Sequence, residues 1–330
     1  MSCKIASHRS YEKWPSWYVV YEWEDIISKY LGWEIELIEG NSLSYRIKRK
    51  YKSLIYRFVH HPSFDDVDLS EMRILFIMSA GSYYQSISQN IIPIFLDFPE
   101  AMVDIIALKT KKLPFYFVTS VDIFNKLKNA GSGNVVYMPL SISDNYYTKT
   151  VPKKRFDVIQ FGRKNPMLHQ WMMEYCRLNS NVDYIYQSSN GSLTYTSTKN
   201  GNLGLFDTRK EYMELMSSCR ISLVSTPSMD SSRIDFGSVD FFTPRFFESA
   251  VFYCHMIARY AENEEADKLK IHDICHNAKD KEDFFVAIEK CLALPNEINV
   301  DKYDDFLQRN LTSKRATFIK NIVSGKNYYM

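Results

Sequence analysis

"FDVIQFGRKNPMLHQWMMEYCRL", Phe156 to Leu178, decides the fold. It opens with "FDVIQFG", a short apolar run ending in glycine, which reads as a buried strand and the turn that closes it. It ends with "PMLHQWMMEYCRL", where Leu168, Trp171, Met172 and Tyr175 fall at i, i+3, i+4 and i+7, one apolar helix face. Strand, turn and helix in that order are half of a βαβ unit, and the pattern recurs on both sides. Upstream, "EIELIE" (34–39), "RILFIMS" (73–79), "IIPIFLDF" (91–98), "FYFVTS" (115–120) and "NVVYMPL" (134–140) read as strands. The helix-like "PEAMVDIIALKTKK" and "SVDIFNKLKNAG" separate the last three. Downstream, "VDYIYQS", "RISLVST" and "CHMIARY" read as strands. They alternate with "TRKEYMELMSSC", opened by a Thr208–Glu211 capping box, and "TPRFFESAVFY", where Thr243 can cap and Pro244 suits the first turn. Two more helices, "DKEDFFVAIEKCLAL" and "YDDFLQRNLTSKRATFIKNIV", close the chain.

Between the two series, "SISDNYYTKTVPKKR" (141–155) is polar and reads as a linker. The expected fold class is therefore α/β, two doubly wound Rossmann-like domains facing a central cleft. The expected domains are 1–148 and 149–330, with the last helix packing back on the first.

Composition narrows the function. Of 330 residues 45% are hydrophobic and 24% charged, ordinary for a globular protein. The formal charge of +2 argues against nucleic acid as a partner, which leaves a strongly basic footprint. Six cysteines form no C-x-x-C pair and are read as reduced and buried. "MSCKIASHRSYEKW" has no apolar core of a signal peptide, and no window is long and apolar enough to span a bilayer. The expectation is a cytoplasmic protein. "SYRIKRKYKSLIYR" (44–57) could rest at the inner face of a membrane, Tyr51 and Ile55 on the interface and its cations on anionic headgroups. The other reading is a solvated helix face.

No G-x-G-x-x-G or G-x-x-x-x-G-K-[ST] occurs, which lowers the odds of a nicotinamide enzyme or a P-loop kinase. "DDVD" (65–68) precedes a strand rather than ending one and reads as a solvated loop, not a metal site. His272 and His276 flank Cys275 at helical spacing, without a second cluster of zinc ligands.

The second half holds the chemistry. Gly162, Arg163 and Lys164 follow a strand, at the sheet edge where ligands sit, and two cations there suit a diphosphate. "SVDFFTPRFFESAVFYCHMIARY" (238–260) adds Asp240, Arg245 and Glu248 among phenylalanines. With Thr243 starting the helix, Glu248 lies on its second turn and could accept ribose hydroxyls. Asp240 lies in the loop before it and could reach an attached sugar. Arg245 and the helix N-terminus fall between them, where a diphosphate is favoured. The alternative, a surface Glu248–Arg245 pair, suits this apolar surrounding poorly.

These residues resemble sugar-nucleotide-dependent glycosyltransferases of the GT-B fold, especially the large retaining group with an E-x7-E motif. The "TPRFFE" form is similar to bacterial surface-polysaccharide transferases, and the resemblance spans roughly residues 75–290. It implies transfer from a nucleoside-diphosphate sugar to a glycan or lipid-linked glycan acceptor. It implies Glu248 on the donor ribose, Asp240 on the sugar, Arg163 and Lys164 on the leaving group, and no metal or other cofactor. Base recognition would fall to loops that include Tyr186 and Thr226. Asp97 in "IFLDFPE" is either a general base, which suits inversion, or a helix cap. The sequence departs from the family three times. Asp240 replaces a glutamate. Tyr253 stands where glycine usually follows the helix, so that turn must differ. "SHRSYEKWPSW" (7–17) replaces a glycine-rich loop, with His8, Arg9 or Trp14 left to reach the acceptor. A non-catalytic nucleotide-sugar-binding module and a sugar-nucleotide epimerase are the alternative readings.

Overall fold

The computed structural model describes residues 3–38, 67–80, 90–189, 191–231, 236–293 and 298–325. The basic segment 44–57 lies outside them, as do Asp65 and Asp66 of "DDVD". The chain forms two compact units, one of residues 1–143, 235–239 and 312–330, the other of 144–234 and 240–311. The break comes a few residues before the expected 148/149.

In the first unit β1 (Lys4–Ser7), helix α1 (Tyr18–Leu31), β2 (Glu34–Leu37), β3 (Arg73–Ser79) and β4 (Ile91–Asp97) come first. Then follow α2 (Val103–Lys109), β5 (Tyr116–Val118), α3 (Val121–Asn129) and β6 (Val135–Tyr137). Among the described residues the strands pair in parallel in the order β2-β1-β3-β4-β5-β6. The centre of the sheet is covered on both faces, so β3 and β4 are apolar without alternation: Ile74, Leu75, Ile77, Ile92, Ile94 and Phe95 are all fully buried. Ser120 caps α3 by accepting from the Ile123 amide.

The second unit holds β7 (Phe156–Gln160), α4 (Pro166–Leu178), β8 (Tyr184–Gln187), β9 (Thr194–Ser197) and β10 (Gly201–Leu205). It continues with α5 (Arg209–Ser217), β11 (Cys219–Ser225), α6 (Pro244–Val251), β12 (His255–Arg259) and α7 (Glu264–Leu269). β13 (Cys275–Asn277), α8 (Lys281–Ala293) and α9 (Val300–Asn310) complete it. Its strand order is β10-β9-β8-β7-β11-β12-β13. Strands β8, β7, β11, β12 and β13 run parallel, and β9 and β10 add an antiparallel hairpin beyond β8. The order reverses between β7 and β11, and open α/β sheets bind ligands beyond the strand ends at such a switch point. Gly162 and Thr226 leave the sheet there. Leu168, Met172 and Tyr175 of α4 are buried on one core with Val158, Tyr184 and Ile221, as the helix period requires. The last helix, α10 (Thr312–Val323), belongs to the first unit.

Three local expectations need correction. "YDDFLQRNLTSKRATFIKNIV" is not one helix: Leu311 takes extended backbone and parts α9 from α10. His272 and His276 do not share a helix: Cys275 and His276 are in β13, and the His276 ring pairs with Asp283. The turn after α6 does not differ from a glycine turn either. Tyr253 takes it up at φ 51°. The Cys254 amide donates to the Ser249 carbonyl and the Tyr253 amide to the Ala250 carbonyl, the two bonds of a Schellman cap. The ring is fully buried beside Tyr303, and its hydroxyl donates to Asp304 at 2.6 Å. Packing and this bond outweigh the steric penalty of a left-handed non-glycine residue, about 1–2 kcal/mol.

Candidate functional site

The site begins at the carboxyl end of β7. Gly162 has φ +69°, and its amide donates to the Tyr195 hydroxyl at 3.0 Å. The Arg245 guanidinium lies directly over this glycine: a Cβ there would sit 2.5 Å from Nη2. Glycine is needed both for the turn and for this approach. Arg245 occupies the first turn of α6, where the helix dipole opposes a cation. Among the described residues no carboxylate pairs with it. Thr243 stands at the N-cap position but makes no side-chain cap, and its buried Oγ1 has no partner among the described residues.

Lys164 lies two residues past Gly162, its ammonium 5.2 Å from the Tyr186 ring centre. Burial lowers its pKa. His169 packs against the same Tyr186 ring, 4.9 Å away and tilted to it, and donates to or accepts from the Tyr184 hydroxyl at 2.9 Å. Burial, helped by the Lys164 charge, holds the imidazole down at about 4, so it is neutral at pH 7. Asn165 fixes the turn by capping α4 through the Leu168 amide and donating to Asp230 at 3.0 Å. Asp230 is gripped in turn by Arg259 at 2.7 and 2.9 Å.

Glu248 is 2% exposed, and its partner is Arg209, not Arg245. Arg209 Nη1 lies 2.5 Å from Oε1, and the Tyr212 hydroxyl donates to Oε2 at 2.8 Å. Asp240 is equally buried. It accepts from the Ser228 hydroxyl at 2.5 Å and the Ala261 amide at 3.2 Å, and burial raises its pKa. It thus ties the loop after β11, which starts at the buried Thr226, to the loop after β12.

In the first unit Asp97 ends β4, half-buried, in register with Ser79 of β3. The helical turn that follows, Glu100–Met102, has Pro99 at its N-cap position. His8 is buried, hydrogen-bonded to Tyr11 and packed on Trp17 at 5.3 Å, and burial lowers its pKa to about 4. Arg9 pairs with Glu24 and Asp25, both at 2.8 Å. Trp14 is exposed.

Comparison with known proteins agrees with this architecture. Anabaena HepE, solved in complex with UDP-glucose, superposes with a TM-score of 0.54 at 9% identity, over 98% of this chain and 99% of that one. T4 phage BGT in complex with UDP and Mn2+ gives 0.50 at 15% identity, again over 98% and 99%. A trehalose-6-phosphate synthase studied for glycosyl transfer with retention gives 0.52 at 9% identity, over 86% of this chain and 78% of that one. The fold is GT-B. No family model matches the sequence, and no curated protein sequence does.

Within this GT-B chain the second unit brings Gly162, Arg245 and Thr243 to one place, with Arg163 and Lys164 next in the chain. Sequence reading missed Arg209, Tyr212 and Tyr195. A signal was present for Arg209: an arginine directly after a capping threonine opposes the helix dipole unless an acid holds it. Tyr195 sits on a strand whose polar "TYTS" carries no strand pattern.

Proposed function

We propose that this protein is a glycosyltransferase that moves a sugar from a nucleoside-diphosphate donor to a glycan or lipid-linked glycan in surface polysaccharide or glycoconjugate synthesis. The supporting observation is Arg245: a cation without an acid partner among the described residues, in the first turn of a helix, laid over Gly162 at the sheet's switch point. That arrangement is costly alone and favourable around a diphosphate. The Thr243 hydroxyl supplies a further donor. Glu248 takes the ribose, Asp240 lies toward the sugar, and Tyr186 and Thr226 lie toward the base.

In the reaction an acceptor oxygen bonds to the anomeric carbon as the bond to the diphosphate oxygen breaks. The acceptor proton leaves to a base, and charge develops on the diphosphate. Arg245, Arg163 and Lys164 stabilise that charge, so the reaction needs no metal. Asp97 is the candidate base for an inverting course, whereas the E-x7-E resemblance favours retention; the anomer of the product, read by NMR, decides. The proposed site of action is cytoplasmic, at the inner membrane face, with segment 44–57 on the lipid.

The test is donor turnover with a panel of UDP-, GDP-, ADP- and CMP-sugars and glycan acceptors. Arg245→Ala should lower kcat/KM about 100-fold or more with the fold unchanged by circular dichroism. Gly162→Ala, which displaces the guanidinium, should lower it similarly. Wild-type rates in both variants would overturn the site. Excess EDTA should leave the rate unchanged; loss restored by Mn2+ would reject metal independence. Donor binding without turnover would make the protein a binding module.

A further inference from the structure

The chemistry above needs Glu248 aimed at the ribose before the donor arrives, and the helix that carries it cannot arrange that alone. Glu248 is 2% exposed, surrounded by Phe246, Phe247, Ala250 and Val251, which are buried too. A carboxyl group in such surroundings needs a cation or hydrogen-bond donors beside it. Here both come from α5. Arg209 and Tyr212 are three apart, hence on one helix face. They reach one oxygen each of the carboxylate, at 2.5 and 2.8 Å. Arg209 is itself only 9% exposed and stacks on Tyr146 at 5.8 Å and Tyr212 at 5.1 Å. Tyr212 is in turn fixed against Phe161, the residue before Gly162, at 3.7 Å between ring centres. The guanidinium therefore cannot swing away without leaving two rings and a buried charge. A carboxylate oxygen has two lone pairs, so one bond from Arg209 and one from Tyr212 leave acceptor capacity on each oxygen for a diol.

We infer that Arg209 and Tyr212 are positioning residues that hold the Glu248 carboxyl group oriented for the vicinal hydroxyls of the donor ribose, making the site selective for ribo- over 2′-deoxyribonucleotides. The inference rests on the nucleotide-sugar reading. It adds the discriminating element: a buried acceptor pair, built in advance, that a nucleotide without its 2′-hydroxyl leaves half unpaired. Sites of that kind discriminate strongly because the unpaired group stays desolvated.

Binding to the full chain by calorimetry tests this without knowledge of the sugar. The probes are UDP, GDP, ADP and CDP and the 2′-deoxy counterpart of whichever binds. The wild type should prefer the ribonucleotide about tenfold or more. Arg209→Met should weaken ribonucleotide binding more than deoxynucleotide binding and bring the ribo-to-deoxy ratio close to one. Arg209→Lys should recover part of the ratio. Tyr212→Phe, a small change that guards against a misfolded Arg209→Met, should reduce the ratio about threefold. A merely structural role would weaken both nucleotides together and leave the ratio alone. A folded Tyr212→Phe or Arg209→Met with the wild-type ratio would overturn the inference, and so would a wild type that binds both nucleotides equally. No binding of any diphosphate by the wild type would instead overturn the nucleotide-sugar reading itself.

Discussion

At the scale of single residues, buried titrating groups set how the first unit responds to acid. His8 is held down at about 4 by burial, against an ordinary 6.5. Between those values the unfolded chain binds the proton more readily, so His8 contributes stability that is lost as pH falls below 6.5. Glu24 works the other way. Its carboxyl accepts from Ser7 at 2.5 Å and pairs with Arg9, yet burial outweighs both and pushes it up to about 7. The folded state then binds the extra proton, so stability from Glu24 is full below 4.5 and is lost as pH rises through 7. The two slopes oppose each other between pH 4.5 and 6.5. Glu24→Gln should leave His8 unopposed. The variant should lose about 2 kcal/mol of stability between pH 7 and pH 5, more than the wild type loses. Urea unfolding at the two pH values measures it, and equal losses in both proteins would reject the assignment.

At the scale of elements, Tyr253 shows packing deciding a backbone conformation. Tyr253→Gly would relieve about 1–2 kcal/mol of left-handed strain. It would also empty a fully buried ring site, which costs about 3–5 kcal/mol, so the net should be a loss of about 1–4 kcal/mol. Tyr253→Phe keeps the ring and gives up only the bond to Asp304, about 1 kcal/mol. Chemical denaturation of the two variants should show the glycine variant less stable than the wild type; a glycine variant as stable as the wild type would mean the ring contributes no more than the strain it imposes. The same contrast separates what was legible in the sequence from what was not. Strands β3 to β8, β11 and β12 announce themselves as short apolar runs, and the Thr208–Glu211 box forms both of its bonds. These signals are local. Thr243 shows their limit: it takes the N-cap position, but its hydroxyl makes no cap. The β9–β10 hairpin is invisible because "TYTS" and "GNLGL" are polar or glycine-rich and its register shifts between Asn202 and Gly204. The burial of Glu248 could be read from the phenylalanines beside it. Its partner could not, since Arg209 is 39 residues away in the chain.

At the scale of the whole molecule, the first unit is assembled from both ends of the chain. α10 returns to it after the second unit is complete, and Arg315 fastens it. Arg315 is 3% exposed; its Nε donates to the Pro139 carbonyl at 2.8 Å and Nη2 to the Leu140 carbonyl at 3.0 Å. Burial lowers its pKa to about 10, so it stays charged at pH 7. The Thr312 hydroxyl donates to the Ile142 carbonyl at 3.0 Å, and the Trp23 indole of α1 donates to Ser141 at 3.1 Å. The strand exit from Pro139 to Ile142 thus has its carbonyls satisfied by α10 and α1 rather than by water, as buried backbone requires. Arg315→Met fills similar volume but abandons two buried carbonyls. It should cost about 2–4 kcal/mol. Removing residues 312–330 should go further and unfold the first unit, although the deletion lies at the opposite end of the chain. Limited proteolysis separates the two cases: new cuts should fall within residues 3–143 in the truncated protein, while the core of the second unit, 144–234 and 240–311, stays protected. Protection of both units after truncation would show that α10 only decorates the sheet it covers.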